Sequence, residues 1–225
     1  MLLGARQFFE RRGGGGGWQN PYVTDGLVAM WDGEWNAGGG VHDASATTWV
    51  DLSGNGYDIS IPSAGASWSN NRLSLASASV SCSLPQVSRQ SFTIEYVGSG
   101  TGGGGAFVWM KNPSWVGGAL LGWNSGGSCW YPWASIGSLG DLKLQSASLS
   151  WSADGQKLVR DGSVIANTSG AIDGRNYLTT VFLGEYSGAI LASMDTYCVR
   201  LYSRSITIAE IAANYAIDKA RFNLT

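Results

Sequence analysis

Two Asp-Gly pairs, Asp154-Gly155 and Asp161-Gly162, stand seven residues apart in a chain of 225. An Asp-Gly pair between alternating segments favours a two-residue hairpin turn. Both central residues of that turn need positive φ, which glycine adopts freely and aspartate tolerates. Two such pairs at this spacing predict a meander of three strands, Leu144 to Trp151, Gln156 to Arg160 and Ser163 to Asn167. Tight hairpins join antiparallel strands, so this stretch commits the chain to an antiparallel sheet.

Further short strands fit the same pattern. Gly26 to Trp31 predicts a first strand, closed by the loop Asp32-Gly33-Glu34-Trp35-Asn36. Arg72 to Leu75 and Val80 to Leu84 alternate, and Ser91 to Val97 is the clearest strand. Its alternation puts Phe92, Ile94 and Tyr96 on one face and Thr93, Glu95 and Val97 on the other. Val181 to Gly184 and Thr196 to Tyr202 supply the last strands. Only Thr207-Ile208-Ala209-Glu210 has a helix signature, a capping box followed by Ile211, Tyr215 and Ile217 towards Phe222. With 33 Gly, 12% aromatic and 13% charged residues, the predicted fold is all-β, a two-sheet antiparallel jelly-roll sandwich with a short C-terminal helix.

Residues 1–17 differ in kind. Leu2, Leu3, Phe8 and Phe9 with Arg6, Arg11 and Arg12 make a short amphipathic peptide, and Gly13 to Gly17 make a flexible tether. The domain reading is therefore 1–17 as an anchoring peptide and tether, and 18–225 as the sandwich. The seven apolar and basic residues are expected to bind another chain or a second copy, which predicts a homo-oligomer or a larger assembly. The start carries neither the long apolar run nor the cleavage site of a secretory signal.

Charge excludes some partners. A net charge of −2 gives no footprint for nucleic acid or anionic lipid, and no apolar run approaches a membrane span. Cys82, Cys129 and Cys198 are odd in number and widely spaced, which predicts free, mostly buried thiols and a reducing site of assembly.

Three groups of residues bear on chemistry. Glu95 lacks the neighbouring acids of an E-x-D-x-x-E strand motif, Asp32 and Glu34 lie at a strand end, and His42 beside Asp43 lacks a nucleophile. The expectation is a domain that is not an enzyme. Asp51, Asn55 and Asp58 gather oxygens around one glycine-rich turn and suit calcium, with Asp32 and Asp195 as further donors. The alternative is that Asp51 and Asn55 bond the backbone of their own turn. Trp115, Trp130, Tyr131 and Trp133 sit among Gly, Ser, Pro and Asn, the setting of exposed loops. There they would stack on sugar rings or anchor a protein, the alternative being that they fill the core. Trp109 and Trp123, among strand-like residues, are expected in the core.

Several segments also resemble the laminin G-like, concanavalin A-like family. Gly26 to Glu34 is similar to its opening strand, and Trp49-Val50-Asp51-Leu52-Ser53-Gly54-Asn55-Gly56 resembles its W-x-D-x-S-G-N-G loop. Phe92 to Glu95 resembles its central strand, and Leu158-Val159-Arg160-Asp161-Gly162 its Y-V-D-G segment, with Arg160 where an apolar residue is common. Arg200 to Ile211 resembles the closing R-I-Y-N-R-x-L-x-x-x-E-I signature. The segments occur in family order over about residues 23–217. The resemblance implies two curved sheets face to face and leaves function open, because this sandwich carries lectins, adhesion modules and glycosidases.

The peptide, glycine run and sandwich together resemble, in layout, minor virion proteins of tailed phages of gut bacteria. That likeness implies a capsid decoration, head-fibre or tail-fibre module, assembled in the host cytoplasm, that contacts other virion proteins and host or mucosal glycans. The competing readings are a carbohydrate-binding module of a bacterial cell surface and a degenerate glycosidase.

Overall fold

The computed structural model describes residues 18–225 except 89, 102–105, 112–117, 123–127, 132–133, 139–143, 153–154, 170–176, 187 and 192, with backbone alone at 118–120, 122, 128–131, 134–138 and 177. In chain order the strands are β1 (Leu27–Asp32), β2 (Thr48–Trp49), β3 (Ile59–Ser60), β4 (Ala66–Ser69), β5 (Arg72–Ala76), β6 (Val80–Ser88), β7 (Phe92–Thr101), β8 (Ala106–Lys111) and β9 (Gly118–Gly122). They continue with β10 (Ser128–Tyr131), β11 (Ala134–Ser138), β12 (Gln145–Ser152), β13 (Gly155–Arg160), β14 (Ser163–Thr168), β15 (Tyr177–Leu183), β16 (Glu185–Tyr186), β17 (Ala189–Ile190) and β18 (Ser193–Tyr202). Helix α1 (Ile208–Phe222) closes the chain.

The larger sheet runs β14-β13-β12-β7-β18-β5-β4, with β1 also paired to β18; the smaller runs β11-β10-β9-β8-β15-β6. Every registered pair is antiparallel. The fold is thus an all-β two-sheet sandwich with a C-terminal helix, as expected.

The predicted meander forms. Asp161 (φ 49°) and Gly162 (φ 75°) are both left-handed, and Arg160 pairs with Ser163 across them, the geometry of a two-residue hairpin turn. Asp154 falls outside the described residues. Gly26 has φ 74°, which is why β1 begins one residue later than the sequence suggests. Pro85 lies within β6, tolerated because β6 is an edge strand.

Between the sheets lies the main core. Phe92, Ile94 and Tyr96 from β7 meet Phe107, Val108 and Met110 from β8 and Val181 and Leu183 from β15. The rings of Tyr96 and Phe107 stack across it, centroids 4.7 Å apart. The other face of the larger sheet is covered too. Thr93, Glu95 and Val97 are buried there beneath α1 and the segment around Tyr22 and Val23. This second burial explains why β7 carries so little solvent-facing surface.

Candidate functional site

The acids come first, because the sequence left them without partners. Under α1 they form a buried ion network. Arg200 on β18 donates from Nε to Glu95 Oε2 at 2.8 Å and through both terminal nitrogens to Asp218 at 2.9 and 2.6 Å. Asn214 donates to the same Glu95 oxygen at 2.7 Å, and Ser148 donates to its other oxygen at 3.2 Å. Tyr22 donates to Asp218 at 2.8 Å. Burial raises the Glu95 carboxyl above its ordinary range, opposed by the Arg200 charge. Glu95, solitary in sequence, is therefore a fully partnered helix latch.

Asp32 is likewise engaged. Arg221 donates to both of its oxygens, at 2.7 and 3.0 Å, and to Glu34 at 2.8 Å, with its guanidinium 3.6 Å from the Trp35 ring centre. His42 places Nδ1 3.0 Å from the Gly33 carbonyl, while Asp43 accepts from the backbone and hydroxyl of Ser45. Those bonds hold the Asp43 carboxyl below its ordinary range. His42 and Asp43 thus each bond elsewhere in their loop.

Around the glycine-rich turn, Asp51 Oδ1 accepts from the amides of Met30 and Ser53 at 2.9 Å each. Its Oδ2 accepts from Ser53 Oγ at 2.7 Å and the Tyr57 amide at 3.0 Å. Asp58 accepts from the Asp51 amide at 2.8 Å, and Asn55 donates its side-chain amide to Val28 O, also at 2.8 Å. A carboxylate has about four lone-pair directions, and those of Asp51 are matched by four protein donors. Ser53 and Tyr57 belong to the turn itself, whereas Met30 N and Val28 O tie the turn to β1. Asp195, the distant donor considered for calcium, pairs with Arg72 and Ser74 instead. Among the described residues no group of three or more His, Cys, Asp or Glu is placed to hold a metal ion.

Cys82 and Cys198 are free thiols; the Cys129 side chain lies outside the described residues. Burial, with Asp51 and Asp58 nearby, pushes the Cys82 thiol up to about 11, so it stays protonated and unreactive at neutral pH.

The outer face of the smaller sheet is chemically distinct. Phe182 on β15 pairs with Trp109 on β8, Trp109 with Leu120 on β9, and Leu120 with Trp130 on β10. Trp109 and Phe182 cluster apart from the main core, to which their neighbours Val108, Met110, Val181 and Leu183 point. Trp109, expected in the core, is buried at 3% exposure, and it sits in a smaller cluster on the opposite side of its strand from the main core. The Trp109 and Phe182 rings lie 5.2 Å apart, and Tyr186 meets Trp109 edge-on, also at 5.2 Å. Tyr186 is 40% exposed. Lys111 holds its ammonium 4.8 Å from the Trp109 ring centre and 4.4 Å from that of Phe182. The buried Trp109 indole N–H has no hydrogen-bond partner.

Of the residues singled out for ligand binding, Trp130 falls in this row by register, and Tyr131 is its β10 neighbour, paired with Ala134. Trp115, Trp123 and Trp133 lie outside the described residues, as do Leu2, Leu3, Arg6, Phe8, Phe9, Arg11 and Arg12. Phe182 and Tyr186 were missed. The only sequence signal for Phe182 is its place in the apolar run Val181-Phe182-Leu183, and for Tyr186 a lone aromatic between Gly184 and Gly188.

No family model and no curated protein sequence matches the chain. Solved structures share its fold. Trypanosoma rangeli sialidase in complex with sialic acid is similar at a TM-score of 0.61 and 18% identity, over 87% of this chain and 33% of that one. Domain 4 of AbnA, a GH43 extracellular arabinanase from Geobacillus stearothermophilus in complex with arabinotriose, is similar at 0.62 and 13%, over 84% and 98%. The receptor binding domain of botulinum neurotoxin D is similar at 0.64 and 11%, over 86% and 53%. The chain thus spans about a third of the sialidase chains it matches.

These likenesses correct one expectation. The inference that the domain is not an enzyme does not stand, because the same sandwich occurs within sialidase chains. The inference rested on a missing carboxylate motif, and that motif is only one of several geometries that break glycosidic bonds.

Proposed function

We propose that this β-sandwich is a carbohydrate-binding domain and that the outer face of its smaller sheet is the binding surface. The observation that carries the proposal is the exposed Tyr186, packed edge-on against the buried Trp109 with the half-buried Phe182 beside it, on the side of the smaller sheet turned away from the main core. Sugar rings present apolar C–H faces that pack on aromatic rings, while hydroxyls at the ring edge take polar partners. Trp115, Trp130, Tyr131 and Trp133 are the further candidates in this reading, and Trp130 pairs with Leu120, the β9 partner of Trp109. Likeness to an arabinanase domain in complex with arabinotriose, and to a third of a sialidase chain from a complex with sialic acid, supports the choice of ligand class.

The test is binding of the full chain to a panel of neutral and acidic polysaccharides, followed by calorimetry on the positives. Tyr186→Ala and Trp130→Ala are expected to weaken binding about fivefold to tenfold each, the loss of one aromatic contact. A panel without binders, or binders indifferent to both substitutions, overturns the proposal.

On a finer scale, the reading is of a virion module, a capsid decoration or a head- or tail-fibre tip, displayed through residues 1–17. It belongs to the laminin G-like, concanavalin A-like superfamily and turns its aromatic surface towards host or mucosal glycans. The sequence layout supports this part, and capsid, portal or tail genes beside its own would test it. Display on a bacterial surface is the competing outcome.

A further inference from the structure

The aromatic row is not bare, and what lies on it says something about the ligand. Beside the row Ser81–Phe182–Trp109–Leu120 runs a second one, Ser83–Thr180–Lys111–Gly118, set by the same strand register. The first row is mainly apolar and the second polar. Lys111 is the one charged residue among these eight positions, and among the described residues it makes no ion pair. Its ammonium instead rests over the rings of Trp109 and Phe182.

That position has a thermodynamic consequence. A cation over an aromatic face is attracted to it. A neutral sugar that stacks on the row must first displace the ammonium and forfeits that attraction. A sugar bearing a carboxylate or sulfate exchanges it for a charge-assisted hydrogen bond, the stronger interaction. Glu185, the neighbour of Tyr186, accepts from Ser79 Oγ and the Gly188 amide. Resting on the carbohydrate-binding reading above, we infer that the preferred ligand is an anionic sugar, its ring on the Phe182–Tyr186 side and its charge on Lys111.

The experiment compares an oligogalacturonate with the same oligosaccharide fully methyl-esterified, which keeps the rings and removes the charge. A sulfated, uronate-free galactan fragment distinguishes sulfate from carboxylate as the recognised group. Binding is read by calorimetry on the wild-type chain and on Lys111→Gln and Lys111→Met, each checked for an unchanged melting temperature. An anionic ligand is expected to bind about tenfold more tightly than the ester, with the difference shrinking in high salt. Both substitutions should abolish that preference, and the ester should bind the variants as well as or better than it binds wild type. Equal binding of acid and ester, unmoved by either substitution, overturns the inference and leaves the carbohydrate reading standing. Binding of none of these, with no other polysaccharide retained, overturns both.

Discussion

Arg200 is 1% exposed and neutralises carboxylates from two different elements, Glu95 on β7 and Asp218 on α1. Removing one member of such a cluster leaves an uncompensated buried charge. Arg200→Met is therefore expected to cost about 3–5 kcal/mol in urea unfolding. Adding Glu95→Gln should recover part of that loss, because the two residues share one network. A single-mutant cost below about 1 kcal/mol would show that packing alone secures the helix. Asp51 offers a second residue-scale test. Its four donors predict the same melting temperature in calcium and in EDTA, whereas a rise with calcium assigns the cation to Asp51, Asn55 and Asp58. None of the Glu95 network is legible in sequence. Arg200 follows Glu95 by 105 residues and Asn214 by 119, so no local pattern signals their contact.

At the scale of elements, legibility follows the range of the interaction. The capping box forms as the sequence states it: Thr207 accepts from the Glu210 amide, and Glu210 accepts from the Thr207 amide. The hairpin at Asp161-Gly162 also forms, since turn chemistry is written in adjacent residues. What could not be read was the consequence of each. Glu210 is gripped by Arg204 at 2.6 and 3.1 Å, and this bond first, then the cap, draws its carboxyl down to about 2 from an ordinary 4.5. A depressed carboxylate stabilises the fold above about pH 4.5, and that contribution fades as pH falls towards 2. Because the pair is largely solvated, Glu210→Gln is expected to cost only about 1 kcal/mol at pH 7. It should also flatten the acid limb of stability between those pH values, which denaturant midpoints against pH would show. Gly162 couples the hairpin to the helix, since a Cβ there would stand 2.6 Å from the Tyr215 ring at a φ of +75°. Gly162→Ala combines strain with a clash and should lower stability by about 1–3 kcal/mol.

At the scale of the molecule, the larger sheet has both of its faces covered. The larger sheet is closed by the main core on one side and by α1 with the Tyr22 segment on the other. The first described residues, Trp18 to Val23, lie along this second face. Trp18 packs edge-on against Trp35 at 5.4 Å, and Trp35 carries the guanidinium of Arg221. Tyr22, 5% exposed, donates to Asp218, accepts from Arg221 at 2.7 Å and lies 4.0 Å beneath the Arg200 guanidinium. The role of Tyr22 was not legible in the sequence, because both partners of its hydroxyl, Asp218 and Arg221, lie in α1. A truncation series follows from this geometry. Removing residues 1–12 or 1–17 is expected to leave the melting temperature within a degree or two of the full chain, since Gly13 to Gly17 offer no side chains to pack and read as a flexible tether. Removing residues 1–23 strips Tyr22 and the Val23 amide from Asp218 and Asn214 and should cost several kcal/mol, comparable with losing a buried network member. If the peptide is an anchor, the 1–12 deletion should also abolish self-association or incorporation into a particle without touching the fold, which sedimentation and particle composition measure. A 1–12 deletion that melts well below the full chain would make the peptide a structural part of the domain. One that melts normally and still assembles would remove the anchoring role of Leu2, Leu3, Phe8 and Phe9.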